Sequence, residues 1–180
     1  PLTLLAMPAN TEIAVVEMGA NHQGEIADLC KIAEPSHGLI TNVGLAHLEG
    51  FGGFEGVKKG KSEMYAYLAE NGGVAFINLD EAHLTELADQ RGVKRKIAYH
   101  LSNHPDLSHP VYEIKPLQIT PQISVAFLTE DGETQVSHSQ LSGKHNLQNI
   151  ITAIAVGKYF KVGGERIAAA IEAYIPSNNR

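Results

Sequence analysis

Glu17 and His47 are the residues whose types and positions most readily do chemistry. Glu17 follows the apolar run Ile13-Ala14-Val15-Val16, and His47 lies in a Gly-rich loop, Gly44 to Gly53, after a second run, Gly38-Leu39-Ile40-Thr41-Asn42-Val43. If both runs are strands of an open α/β sheet, the two side chains share the carboxyl edge where such sheets bind ligands. A carboxylate beside an imidazole can hold a divalent cation. Mg²⁺ needs one or two protein groups, with water and nucleotide phosphate completing its octahedron, whereas an imidazole suits Mn²⁺ better. A capped turn and a surface histidine, in a chain with 9 histidines, is the plainer reading of the same residues.

Two other clusters carry chemical potential. Lys58, Lys59 and Lys61 gather at the start of a helix near Phe54, either as a solvated face or as amines that lose a proton when desolvated beside a metal. Asn146 and Asn149 stand three apart at the opening of a long apolar helix. Paired amides both donate and accept, which reading an adenine edge requires, although Asn146 equally suits a helix cap. Nothing matches the G-x-x-x-x-G-K-[ST] loop that cradles nucleotide phosphates, because Gly50-Phe51-Gly52-Gly53 lacks the following Lys-Thr. His100, His104 and His109 are spaced irregularly around Pro105 and Pro110 and read as loop residues; no H-E-x-x-H run supports a metal-dependent hydrolase.

The elements that would position these groups alternate. Strands are expected at 13–16, 38–43, 73–78 and, more weakly, 94–99, and helices at 24–33, 54–70 and 81–90. That order predicts an α/β fold, a mostly parallel, doubly wound sheet flanked by helices. From about 108 to 140 the texture becomes antiparallel: apolar stretches at 111–114, 122–129 and 134–139 surround the turn signal Asp131-Gly132. Leu147, Ile150, Ile151, Ile154 and Ala155 then mark one face of a helix, and Glu165 to Tyr174 another helix.

At 180 residues the chain is expected to form one domain, residues 1–180, with the antiparallel stretch as a subregion. A net charge of -6 and a pI near 5.8 leave no excess of positive charge for nucleic acid. The opening Leu2 to Met7 is too short to span a bilayer and lacks the basic flank of a signal peptide, so the start at Pro1 reads as a cut. The single cysteine, Cys30, lies among helical apolar residues, which suits a reduced cytoplasmic compartment.

Three segments taken together resemble the Mur ligases in order and spacing: Glu17-Met18-Gly19-Ala20-Asn21-His22-Gln23-Gly24-Glu25-Ile26, Thr41-Asn42-Val43-Gly44-Leu45-Ala46-His47-Leu48-Glu49-Gly50-Phe51, and Gly143-Lys144-His145-Asn146-x-x-Asn149. The first two are most similar to the branch that joins D-alanyl-D-alanine to UDP-MurNAc-tripeptide, and the resemblance covers nearly the whole chain. It implies the central ATP-binding domain of a three-domain, ATP-dependent, cytoplasmic peptide-forming ligase, working through an acyl phosphate in peptidoglycan precursor synthesis. It implies Mg²⁺ on Glu17 and His47, and a catalytic Lys61 that, once carbamylated, would serve a second ion. It implies adenine against Asn146 and Asn149 with His145 close by, Arg180 reaching the nucleotide, and Asn21 and His22 on the substrate side.

The family's phosphate loop would precede Pro1 and its C-terminal domain would follow Arg180. The 180 residues alone are therefore expected neither to hydrolyse ATP nor to ligate, and the strand leading into that loop would be absent, leaving an unpaired edge at mid-sheet. A folate-type polyglutamate ligase shares the overall design, but the run Ala20-Asn21-His22-Gln23-Gly24 argues against it. A non-catalytic nucleotide-binding fragment is the other alternative.

Overall fold

A computed structural model of the chain describes residues 2–44, 48–102 and 111–176. The fold is α/β, a six-stranded, mostly parallel sheet with flanking helices, its strands in the order β1-β2-β3-β4-β5-β6. The chain forms two compact units, residues 1–75 with 83–96, and residues 76–82 with 97–180.

The first unit holds α1 (Leu2–Leu5), α2 (Glu25–Ala33), β1 (His37–Leu39), α3 (Leu48–Phe51), α4 (Phe54–Lys61), α5 (Glu63–Glu70) and α6 (Leu84–Gln90). Helix α2 packs on α4 and α5, and α5 also covers β1. Cys30 is fully buried, its Sγ 4.0 Å from Met18 Sδ, and burial pushes the thiol pKa up. It is a small apolar core residue rather than a reactive one.

Two expectations for this unit need correction. Residues 13–16 are not a strand: among the described residues no backbone hydrogen bond pairs them with another segment, and Val15 is 91 % exposed. Apolar, β-branched composition favours a strand only where a ladder partner lies alongside. The single helix expected over 54–70 is two helices that meet at Ser62. Its buried hydroxyl donates to the Lys59 carbonyl (3.0 Å) and accepts from Arg91 Nε (3.0 Å), so a local side-chain bond competes with the helical ladder.

Strands β2 (Val74–Asn78) and β3 (Arg95–Leu101) fall where expected, β3 running two residues further. That extension overturns the loop reading of His100, a buried strand residue; His104 and His109 lie outside the described residues. In the second unit β4 (Val111–Gln118) pairs parallel with β3, Ala98 opposite Val111, then antiparallel with β5 (Ser124–Leu128), which pairs antiparallel with β6 (Thr134–His138). The antiparallel stretch is thus continuous with the main sheet. Pro116 sits in β4 where the register slips between Pro116 and Gln118, the bulge a strand proline needs. Helix α7 (Lys144–Tyr159) buries Leu147, Ile150, Ile151, Ile154 and Ala155, and α8 (Gly164–Ala173) packs on α7 and β6.

Candidate functional site

In the first unit the loop Gly19 to Gly24 is held at several points. The Glu25 carboxylate accepts from the backbone N–H groups of Asn21 (2.7 Å) and His22 (3.2 Å), and lies 3.2 Å from His22 Nδ1. These bonds, the Asn21 backbone first, hold the Glu25 carboxyl below the usual carboxylate range. Gln23 Nε2 donates to the Phe51 carbonyl at 2.9 Å. Helix α2 begins at Gly24 without a cap from its own sequence; Glu63 from α5 supplies one, accepting from Gly24 N (2.6 Å) and Ala27 N (3.0 Å). A carboxylate at a helix N-terminus satisfies orphan donors and meets the positive end of the helix dipole.

The loop also lies against backbone. A Cβ on Gly50 would stand 2.3 Å from the Asn21 carbonyl oxygen, and one on Gly56 would stand 1.8 Å from the Phe51 carbonyl oxygen. Only glycine allows these approaches, so the Gly-rich texture around α3 and α4 serves close contact as well as turning. Asn21 and His22 are both exposed on this anchored loop.

Lys61 Nζ donates to the Asn42 carbonyl at 2.7 Å, with Asn42 Oδ1 at 3.5 Å, so the lysine is fixed on the segment that follows β1. Lys58 bonds Glu55 (2.8 Å) and lies over the Phe54 ring, partners different from those of Lys61. Glu17 is exposed, and among the described residues no hydrogen bond or ion pair engages its carboxylate. His47 and Arg180 lie outside the described residues. Among the described residues no group of three or more His, Cys, Asp or Glu side chains is placed to hold a metal ion.

The second unit carries the amide cluster. Gly143, not Asn146, is the N-cap of α7, with no side-chain cap bond, which disposes of the capping role for Asn146. Asn146 Nδ2 instead donates to the Ser142 carbonyl at 2.9 Å. Asn149 and His145 are exposed at the same end of the helix, and among the described residues no hydrogen bond occupies the Asn149 amide. Next to these lies a polar chain that sequence reading did not single out. Asn78, buried at the last position of β2, donates from Nδ2 to Gln148 Oε1 at 2.7 Å. A buried Asn closing the run Val-Ala-Phe-Ile-Asn was its one sequence signal.

The family profile described as the Mur ligase middle domain matches residues 1–157. The chain belongs to the Mur ligase family. Over 157 residues it is 36% identical to the UDP-N-acetylmuramoyl-tripeptide--D-alanyl-D-alanine ligase of Haemophilus influenzae, a match covering 87% of this chain and 32% of that one. Its fold is similar to a crystal structure of MurF from Acinetobacter baumannii, with a TM-score of 0.82, 27% identity, and coverage of 99% of this chain and 38% of that one. It is also similar to the MurF ligase of Thermotoga maritima in complex with ADP, with a TM-score of 0.60, 25% identity, and coverage of 82% and 33%. The chain thus spans about a third of the length of these Mur ligases. No described helix is long and apolar enough to cross a membrane.

Proposed function

We propose that these residues are the central, nucleotide-handling domain of a cytoplasmic ligase that uses ATP to join D-alanyl-D-alanine to UDP-MurNAc-tripeptide. The observation that carries the reading is the 36% identity over 157 residues to a ligase named for that reaction. The organisation into one central domain over residues 1–180, with a further domain on either side in the complete protein, belongs to the same reading.

In this reaction the terminal carboxylate of the tripeptide takes the γ-phosphoryl group of ATP, giving an acyl phosphate and ADP. The dipeptide amine attacks the acyl carbon, and the tetrahedral intermediate collapses with loss of phosphate and a proton. Asn146 and Asn149, with His145 beside them, meet the adenine edge, and Arg180 reaches the nucleotide. Asn21 and His22, held by Glu25, Gln23 and the close approach at Gly50, present the loop to the substrate.

The exposed Glu17 carboxylate fits the minimal protein contribution to a Mg²⁺ site, with His47 as a second ligand. Bound there, Mg²⁺ would offset phosphate charge as the phosphoryl group is transferred. Lys61 fits a metal only after carbamylation, which exchanges its cation for an oxygen donor; the carbamate keeps one N–H for the Asn42 carbonyl. The 180 residues alone carry no phosphate loop and are expected not to turn over ATP. The test is phosphate release by the full-length ligase with UDP-MurNAc-tripeptide, with and without D-Ala-D-Ala. Release that requires both supports the reading; release that ignores the dipeptide and responds to a folate with glutamate overturns it.

A further inference from the structure

Within the second unit, the carboxyl ends of β2 and β3 are tied to one flank of α7 by a chain of side-chain bonds. Asn78 Nδ2 meets Gln148 Oε1 at 2.7 Å, and Asn78 Oδ1 accepts from Asp80 N at 3.0 Å. The Asp80 carboxylate accepts from Leu101 N at 2.8 Å. On the next turn of the helix Thr152 Oγ1 donates to the Gln148 carbonyl (2.8 Å) and lies 2.8 Å from the Tyr99 hydroxyl. Asn78 is 1 % exposed and Tyr99 0 %, so the anchor side of this chain is fixed in the core.

At about 100° per residue, Gln148 and Thr152 share one flank of α7, roughly 20° and 60° beyond Ala155 at the edge of the stripe of Leu147, Ile151 and Ala155. Exposed Asn149 falls on the outer side, about 100° from Gln148, and half-buried Asn146 on the opposite flank, about 160° from Gln148. Apolar contacts resist separation of a helix from a sheet, but they resist rotation about its axis weakly, since one methyl replaces another at small cost. A hydrogen bond from a buried Asn is directional and costly to leave unmade. The Asn78–Gln148 bond, with the Tyr99–Thr152 bond one turn further on, therefore sets the azimuth at which Asn146 and Asn149 stand, and Asn78–Gln148 is the one nearer to them.

We infer that Asn78 and Gln148 are positioning residues for the nucleotide: they hold Asn146 and Asn149 in the orientation that reads adenine, without touching it themselves. The inference rests on the adenine role of Asn146 and Asn149. In the full-length ligase, Gln148→Leu should raise the KM for ATP about tenfold. The kcat at saturating ATP and the KM for UDP-MurNAc-tripeptide should stay within about twofold. Gln148→Glu keeps an acceptor for Asn78 Nδ2 and should behave as the parent. Asn78→Asp should also be tolerated, because the Gln148 amide can turn and donate to the new carboxylate. Combining Asn78→Asp with Gln148→Glu sets two acceptors against each other, and the KM for ATP should rise again.

A KM for ATP that ignores both Gln148→Leu and the double substitution, while Asn149→Ala raises it, overturns the positioning role and spares the adenine reading. No response to Asn146→Ala or Asn149→Ala overturns the adenine reading and the inference with it. Equal rises in the KM for ATP and for tripeptide, with a lowered Tm, reduce the bond to general stability and also overturn it.

Discussion

Substituting alanine for Gly50 tests the anchored loop from Gly19 to Gly24, and the substrate role proposed for it, directly. The new Cβ would stand 2.3 Å from the Asn21 carbonyl oxygen, 3.3 Å from its carbon and 3.5 Å from His22 Cδ2. Carbon and oxygen ordinarily meet no closer than about 3.3 Å, so roughly 1 Å must be found. Both obstacles are backbone, and no side-chain rotation relieves them. Moving the loop strains the bonds of Asn21 and His22 to Glu25 and of Gln23 to the Phe51 carbonyl. Such overpacking costs about 1–3 kcal/mol. In a domain of this size that lowers Tm by roughly 3–10 °C. A displacement of about 1 Å at a positioning loop can also cost on the order of a hundredfold in turnover efficiency. In the full-length ligase, Gly50→Ala should therefore depress kcat/KM for UDP-MurNAc-tripeptide by at least about tenfold, and that for ATP much less. Gly19→Ala is the control: nothing lies within 4 Å of its Cβ and its φ is not positive, so Tm should hold. Normal Tm and normal tripeptide kinetics in Gly50→Ala would refute the loop contact.

Three further outcomes follow from the geometry. The carboxyl of Glu25 is held low by its bonds, so its contribution is present at and above the ordinary carboxylate range and is lost as pH falls through its own lower value; the amide resonances of Asn21 and His22 should shift with that single acidic midpoint, and Glu25→Gln should erase it. Glu63→Ala strips the N-terminal amides of α2 of their acceptor and should cost about 1–2 kcal/mol, read as a lower denaturant midpoint at constant m, with Glu63→Gln losing less. Burial pushes the Tyr99 hydroxyl from 10.0 up to about 12, so its protonated form stabilises the fold below pH 10.0 and that contribution is lost as pH rises towards 12. Tyr99→Phe should remove that part of the alkaline loss, followed by tyrosinate absorbance, and cost about 1 kcal/mol at neutral pH through the broken bond to Thr152.

Much of the architecture was legible because hydrophobic period and turn chemistry are local. The strands at Val74–Asn78 and Thr134–His138 and the helices from Glu25 and Lys144 fall where the pattern puts them, and Asp131-Gly132 closes the β5–β6 hairpin. What failed was non-local. Residues 13–16 have strand composition but no ladder partner among the described residues, and Ser62 divides a helix through Arg91, which is 29 residues away in sequence. Local pattern likewise cannot show that Glu63 caps a helix 39 residues upstream, or that Asn78 meets Gln148 across 70 residues. Of the candidate site residues, Asn21, His22 and Lys61 acquire fixed partners, Asn146 is half-buried and Asn149 exposed in the first turns of α7, and Glu17 has no hydrogen-bond or ion-pair partner among the described residues.

What defines the proposed ligase is the bond it makes. Mass analysis of the nucleotide product formed by the full-length ligase from UDP-MurNAc-tripeptide, D-Ala-D-Ala and ATP decides it most directly. The product should gain the mass of the dipeptide less one water for each ATP converted to ADP. An unchanged UDP-MurNAc-tripeptide alongside consumed ATP, or addition of a different amino acid in preference to D-Ala-D-Ala, would contradict it.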